Sequence, residues 1–400
     1  MARQPSSVAL LFASLAASII PLASHEPARA VIPDFALASA DPQLATLPDR
    51  LDGVLELYQG KMLNTQSHGP WEIMHAIIAY GVDTQIRIDG PSGEPVTAIG
   101  WLCFNRPAAG QRLLYTGRQG ELAAMRGPGL QGHDGQFLAI LAQSKVMPDY
   151  PIKVGERDFT VADLVEYEQK TCVAGTELTF KLIGLSHYLE SDATWTSENG
   201  QQWSIERLIR EEIAQPIRGA TCGGTHRLMG LSYAIQRRVR QGLPITGEFR
   251  RAEIYTSDYH KYTFKQQNSD GSFSTAWFSG RGNDADLDTR LRTTGHILEW
   301  MAFSLPKDGL TDPRTVQAVE YLTGLLHDNS SRRWEIGPLG HALHALALYR
   351  DRALDRGGLD RPSRNLASYE AQRTAAKDDD AGETTPQNVK GSRGPVLILK

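Results

Sequence analysis

Cysteine is scarce. The chain has three, Cys103, Cys172 and Cys222; so few do not staple a disulfide-scaffold domain, and an odd number leaves at least one thiol unpaired within the chain. Excess positive charge is also missing. Forty-two Lys and Arg stand against forty-six Asp and Glu, a net charge of −4, so no basic footprint for nucleic acid is implied. No apolar run reaches the roughly 20 residues that a spanning helix needs. There is no Walker or dinucleotide fingerprint and no G-x-S-x-G elbow. What remains is an ordinary globular composition, 41% hydrophobic and 22% charged, over a length that suits one large domain or two smaller ones.

The two ends differ from the middle. Arg3 precedes "VALLFASLAASIIPLA", and "ARA" stands at 28–30. A positive start, a short apolar stretch and an A-x-A site predict a secretory signal peptide over 1–30, cleaved after Ala30. The mature chain is then expected to be exported, to the periplasm or beyond the cell, with no stable membrane anchor. Residues 31–49 read as a Pro- and Ala-rich leader. Residues 50–355 read as the folded domain, and 356–400, with "KDDDAGETTPQNVKGSRG", as a polar tail too poor in apolar side chains to fold.

Within the domain, amphipathic stretches alternate with more apolar ones. The apolar set is 68–81, 132–144, 175–189, 224–238, 293–305 and 337–349. In the fourth, Leu228, Leu231, Ile235 and Val239 recur at helical spacing. Residues 84–105 alternate around a Gly/Pro turn and predict one β-hairpin. The expected fold is all-α: an α/α toroid of about six inner and six outer helices with a small β-hairpin insertion. One pattern occurs twice. Thr171-Cys172, Gly175-Thr176 and Gly184-Leu185-Ser186 are echoed by Thr221-Cys222, Gly224-Thr225 and Gly230-Leu231-Ser232. The spacing differs, eight steps from Thr176 to Gly184 and five from Thr225 to Gly230. The glycines suit turns into neighbouring inner helices, and Thr176 and Thr225 are candidate helix caps.

"QQNSDGSFSTAW", with Gln267, Asp270, Gly271, Ser272 and Phe273, lies between an outer and an inner stretch. In this the chain resembles the terpenoid-cyclase and protein-prenyltransferase superfamily, whose repeats carry Gln and then Asp-Gly-Ser-Trp at that place. The resemblance implies an α/α toroid. It does not carry the chemistry across. "DADLD", with Asp284, Asp286 and Asp288, has Leu287 where the cyclase acid motif has its last aspartate, and the prenyltransferase Asp, Cys, His zinc set has no counterpart.

Histidines concentrate where the inner helices should begin: His68, His133, His226, His296 and His341. If those helices run alike, their starts share one mouth, where free N–H groups favour anions. Candidate catalytic residues are His226, His133, Asp134, Glu177 and His296, the imidazoles and carboxylates that acid–base chemistry uses. His226 is the proposed base, with Arg227 beside it. Candidate substrate-binding residues are Arg227, Arg292, Trp71, Trp300 and His341. Cys172, Cys222 and His226 form a loose zinc candidate without a paired CxxC; no cofactor is assigned. Glu72 with His75, and His341 with His344, are i, i+3 pairs that lack the second E-x-x-H of a di-iron site, so His75 and His344 read as hydrogen-bonded core or cavity residues. Three functions are compatible: a lyase or hydrolase on a polysaccharide, small carbohydrate or other polar extracellular substrate; a non-catalytic toroid binding a protein or cell-wall ligand; and a relative of the isoprenoid cyclases.

Overall fold

The computed structural model describes residues 42–354. The predicted signal peptide and polar tail lie outside them. The elements run α1 (Pro42–Gln59), α2 (Pro70–Tyr80), β1 (Gln85–Arg87), β2 (Pro95–Thr97), α3 (Ala98–Cys103), β3 (Leu114–Thr116), β4 (Leu122–Ala124) and α4 (Gln136–Gln143). They continue β5 (Pro151–Val154), β6 (Arg157–Thr160), α5 (Val161–Lys170), α6 (Thr179–Tyr188), β7 (Thr194–Thr196), β8 (Gln202–Ser204), α7 (Ile205–Ile213), α8 (Thr225–Arg240) and α9 (Gly247–Gln266). The last are α10 (Leu287–Ser304), α11 (Lys307–Leu310), α12 (Pro313–Asp328) and α13 (Ile336–Ala353). The described residues are mostly helical, as the periodicity predicts. None of their helices is long and apolar enough to cross a membrane.

Three expectations change. The hairpin insertion is not single. β1–β2, β3–β4, β5–β6 and β7–β8 are four separate antiparallel pairs, and the last two lead into α5 and α7. Strands of three or four residues are too short for an alternating pattern to stand out, and their turns rest on single left-handed glycines, Gly155 at φ 62° and Gly200 at φ 78°. The leader boundary also moves, because α1 begins at Pro42, inside the stretch read as leader. Neither Thr176 nor Thr225 caps a helix. The N-cap positions are Leu178 and Gly224, without side-chain caps, and the two threonine hydroxyls donate to the carbonyls of Val173 and Cys222.

The doubled motif falls into register once the helix starts are known. α6 opens at Thr179 and α8 at Thr225, so "TFKLIGLS" aligns with "THRLMGLS" residue for residue. Two positions have the same task in both copies. Lys181 is buried against Glu168 of the preceding amphipathic helix α5, and Arg227 against Glu212 of the preceding amphipathic helix α7, at 3.0 Å. Gly184 lies against Leu138 of α4, and Gly230 against the Thr179 carbonyl of α6, where a Cβ would sit 2.8 and 3.1 Å away. The shared glycines are therefore points of close helix approach. Gly295-His296 and Gly340-His341 form a second such pair: a Cβ on Gly295 would fall 3.0 Å from Ala342 of α13, and one on Gly340 2.3 Å from the His75 carbonyl oxygen of α2.

The apolar helices α2, α4, α6, α8, α10 and α13 each pack on the next in that order, and α13 packs on α2. The amphipathic α5, α7, α9 and α12 lie against their chain neighbours in that set. α1 is tied by Tyr58, whose hydroxyl donates to the Leu326 carbonyl, and by Tyr80, which donates to that of Leu55.

Gly340 gives a direct test of this packing. A Cβ there meets backbone, which cannot rotate aside, so Gly340→Ala must part α2 from α13. It is expected to destabilise by about 3 kcal/mol, as overpacking does. Gly324→Ala in α12, where a Cβ meets nothing within 4 Å, should instead stabilise by about 0.5–1 kcal/mol through helix propensity. Urea midpoints of the two variants decide it; equal effects would contradict the close contact.

Candidate functional site

The segment that enters α8 is under local strain. Cys222, Gly223 and Gly224 are left-handed in succession, at φ 49°, 64° and 86°. Both glycines are required twice over: a Cβ on Gly223 would fall 2.3 Å from Trp277, and one on Gly224 2.6 Å from Ile217. Cysteine rarely adopts this conformation, and here it fixes Cys222 beside the first turn of α8. Two steps into that helix stands His226, 8% exposed, with both ring nitrogens buried and unpartnered. A buried polar group without a partner is uncommon and calls for a reason.

Around His226 lie other imidazoles. Its ring centroid is 5.7 Å from His133, 5.4 Å from His296 and 5.1 Å from His341. His296 and His341 are 3.9 Å apart, and His75 is 5.3 Å from His341. Phe180, at 5.1 Å from His226, and Trp277, at 5.8 Å from His296, supply apolar walls. Phe180 occupies in α6 the place that His226 holds in α8, so one step of the doubled motif decides whether that position is apolar or an imidazole.

Every outer imidazole has its Nδ1 engaged. His133 pairs with Glu177 at 2.7 Å, His341 with Glu299 at 2.8 Å, and His344 with the other Glu299 oxygen at 2.6 Å. His296 and His75 reach the carbonyls one turn back, of Arg292 and Trp71, at 2.7 and 2.6 Å. Donation from Nδ1 leaves Nε2 as the basic nitrogen. Burial holds the imidazole pKa of His226, His296 and His341 well below the ordinary value, reinforced by the neighbouring rings. His75 is brought down to about 4, again chiefly by burial. Burial pushes the Cys222 thiol up to about 12, with the Glu299 carboxylate adding to the effect. Partial burial pushes the Glu177 carboxyl up, but the His133 hydrogen bond and charge prevail and hold it below the usual range.

The predicted residues divide. His133, Glu177, His226, His296 and His341 come together. His68 does not; it hydrogen-bonds Asn64 in the turn before α2, and His75 joins the cluster in its stead. One helix start differs from that expected, since α10 begins at Leu287 rather than 293, while α13 begins at Ile336, beside the expected 337. His296 and His341 therefore sit inside their helices rather than at the tips. Arg227 points away from His226. Its guanidinium is engaged by Glu212, the Pro216 carbonyl and Gln215, away from the cluster. Asp134 turns to the surface and pairs with Arg126 at 3.2 Å. Trp300 is fully buried, donates to Ser232 and stacks on His260; it belongs to the core. Cys172 is buried and donates to the Glu168 carbonyl. Among the described residues the grouping with metal-ligand spacing is Cys222, His226 and His296, without Cys172. All three cysteines are free. Glu72 accepts from the Gly69 N–H and closes the start of α2, so Glu72 and His75 are not a ligand pair.

Sequence reasoning missed Glu299. It faces His341 and His344 across α10 and α13, and a lone carboxylate in "HILEWMAF" was its only trace. Two cavities adjoin the cluster. One of about 400 Å³ is bordered by Cys222, Gly223, Trp277, Arg218 and Arg292. The other, of about 510 Å³, is lined by Trp71, His75, Trp334, Tyr58 and Glu335 among others. Arg292 of the first pairs with Glu335 of the second at 2.9 Å, both half-exposed. The chain matches no family model, no curated protein and no solved structure.

Proposed function

We propose that the chain is an exported enzyme of α/α-toroid architecture, a lyase or hydrolase for a carbohydrate or other polar extracellular substrate, with the imidazole cluster as its active centre. The succession of apolar helices, each against the next and the last against the first, favours the toroid. The observation that carries the catalytic reading is the His133–Glu177 pair beside His226. A carboxylate that receives Nδ1–H orients an imidazole and stabilises it when Nε2 takes a proton.

Between the two reactions, Arg218 and Arg292 favour elimination from a uronic-acid unit. They border the cavity next to Cys222, where a substrate carboxylate would find positive charge. The exposed Arg292–Glu335 pair is of the kind that contributes little and exchanges readily. His133 then takes the proton α to the carboxylate. The electron pair forms the C=C bond as the glycosidic C–O bond breaks, and the imidazolium returns its proton to the leaving oxygen. The arginines stabilise the carboxylate-stabilised anion as it develops. A panel of uronic-acid and neutral polysaccharides tests this. The expected result is new ultraviolet-absorbing unsaturated ends with the uronic acids alone. Reducing ends without unsaturation would turn the reading to hydrolysis, and silence across the panel would remove it.

A further inference from the structure

We propose that Cys222, His226 and His296 bind one divalent first-row cation of the zinc type, with a coordination position left open toward the arginine-bordered cavity. One ligand atom from each of the three lies within 4.8 Å of the others. Metal bonds of about 2.0–2.3 Å place tetrahedral donors roughly 3.3–3.8 Å apart, so the three side chains would draw inward by about 1 Å.

Four features point the same way. His226 has no protein partner for either nitrogen although it is buried, and a ligand bond satisfies what no hydrogen bond does. His296 has its Nδ1 fixed on the Arg292 carbonyl, which sets Nε2 as donor, the outer-shell arrangement of metal-bound imidazoles. Cys222 is held in place by a left-handed run that glycines alone can complete. Behind His296 the His341 ring lies at 3.9 Å, itself anchored by Glu299, so the ligand ring cannot swing freely. One thiolate and two imidazoles suit zinc, cobalt and their neighbours, and do not suit magnesium or calcium, which take oxygen. Coordination forms a sulfur–metal bond and releases the Sγ proton to the buffer. Three protein ligands leave a fourth position, and Cys222 borders the cavity that holds Arg218 and Arg292. That position would take an exchangeable water or an anion such as a carboxylate.

This deepens the proposed function at the same mouth and gives the substrate carboxylate a second positive contact, but binding is measured without turnover. Reduced, chelator-treated full chain is titrated with Zn(II) by calorimetry and with Co(II) by absorption spectroscopy. One ion per chain is expected, with a thiolate-to-cobalt charge-transfer band and tetrahedral d–d bands. Cys222→Ser should abolish the charge-transfer band, and Cys222→Ser and His296→Ala should each weaken zinc binding by 100-fold or more. Cys172→Ser should change neither. Alkylation mapped by mass spectrometry covers the case in which a variant misfolds: in the wild-type chain Zn(II) should shield Cys222 selectively. Absence of stoichiometric binding, a band that survives Cys222→Ser, or no protection of Cys222 would overturn the site. Such a result would leave the His133–Glu177 chemistry standing, while zinc binding without turnover on any polysaccharide would leave the site and remove the enzyme.

Discussion

His133→Asn is expected to lower kcat about 10³-fold on whichever substrate the chain turns over, within the 10²–10⁴ range of a lost general base. The melting temperature should move by only a few degrees. Asparagine can still donate to Glu177, so the 2.7 Å contact that positions the side chain has a replacement, but no atom remains to take a proton. The Phe180 ring at 4.7 Å keeps the space filled. KM should hold, because the arginines that face the substrate are untouched. Glu177→Gln is expected to be milder, roughly 10–10² in kcat, since it weakens orientation and charge rather than deleting the base. Added imidazole should restore part of the His133→Asn rate. A variant that keeps its full rate would show that the proton goes elsewhere.

Glu299→Ala is expected to be the most damaging change to stability, at roughly 2–6 kcal/mol, since each buried donor left unsatisfied costs about 1–3 kcal/mol and two are left. Its two oxygens receive His341 and His344, and all three residues are 8% exposed or less. Alanine would strand two buried imidazoles and cut a buried polar tie between α10 and α13, leaving the one that Arg352 makes to the Leu305 carbonyl at the end of α10. Glu299→Gln retains one acceptor and turns the other oxygen into a donor, which opposes one Nδ1–H; a loss of roughly 1–3 kcal/mol follows for one unsatisfied group. Guanidinium midpoints order the three proteins. If alanine costs less than 1 kcal/mol, the bridge is not formed in solution.

The apolar helices were legible because their apolar residues recur at helical spacing over eight or more positions, a signal that survives without knowledge of neighbours. One hairpin, β1–β2 within 84–105, was legible from its alternation about a Gly/Pro turn; the other three were not, because strands of three or four residues give little period. The start of α10 was placed too late because its first turns, "LDTRLRTT", are polar, and only the cap, Asp286 accepting from the Thr289 N–H, marks where it begins. The cluster was half legible. Histidines expected near helix starts pointed to His133, His226, His296 and His341; the first two do lie at the entries to α4 and α8, whereas His296 and His341 reach the cluster from within α10 and α13. Which way a side chain points was out of reach. Arg227 and His226 are adjacent in sequence yet diverge by the ~100° between successive helical positions, so one enters the cluster and the other serves Glu212. Cys222 with His296, and Glu299 with His344, are contacts between distant segments that no local pattern encodes.

The central claim is that this imidazole mouth eliminates rather than hydrolyses. The direct measurement is the mass of products from a uronic-acid oligosaccharide digested in ¹⁸O-labelled water. Elimination splits the substrate into fragments whose masses sum to the starting mass, one carrying a C=C bond and none carrying the label. That is the result expected here. Fragments heavier by one labelled water would contradict it and establish hydrolysis.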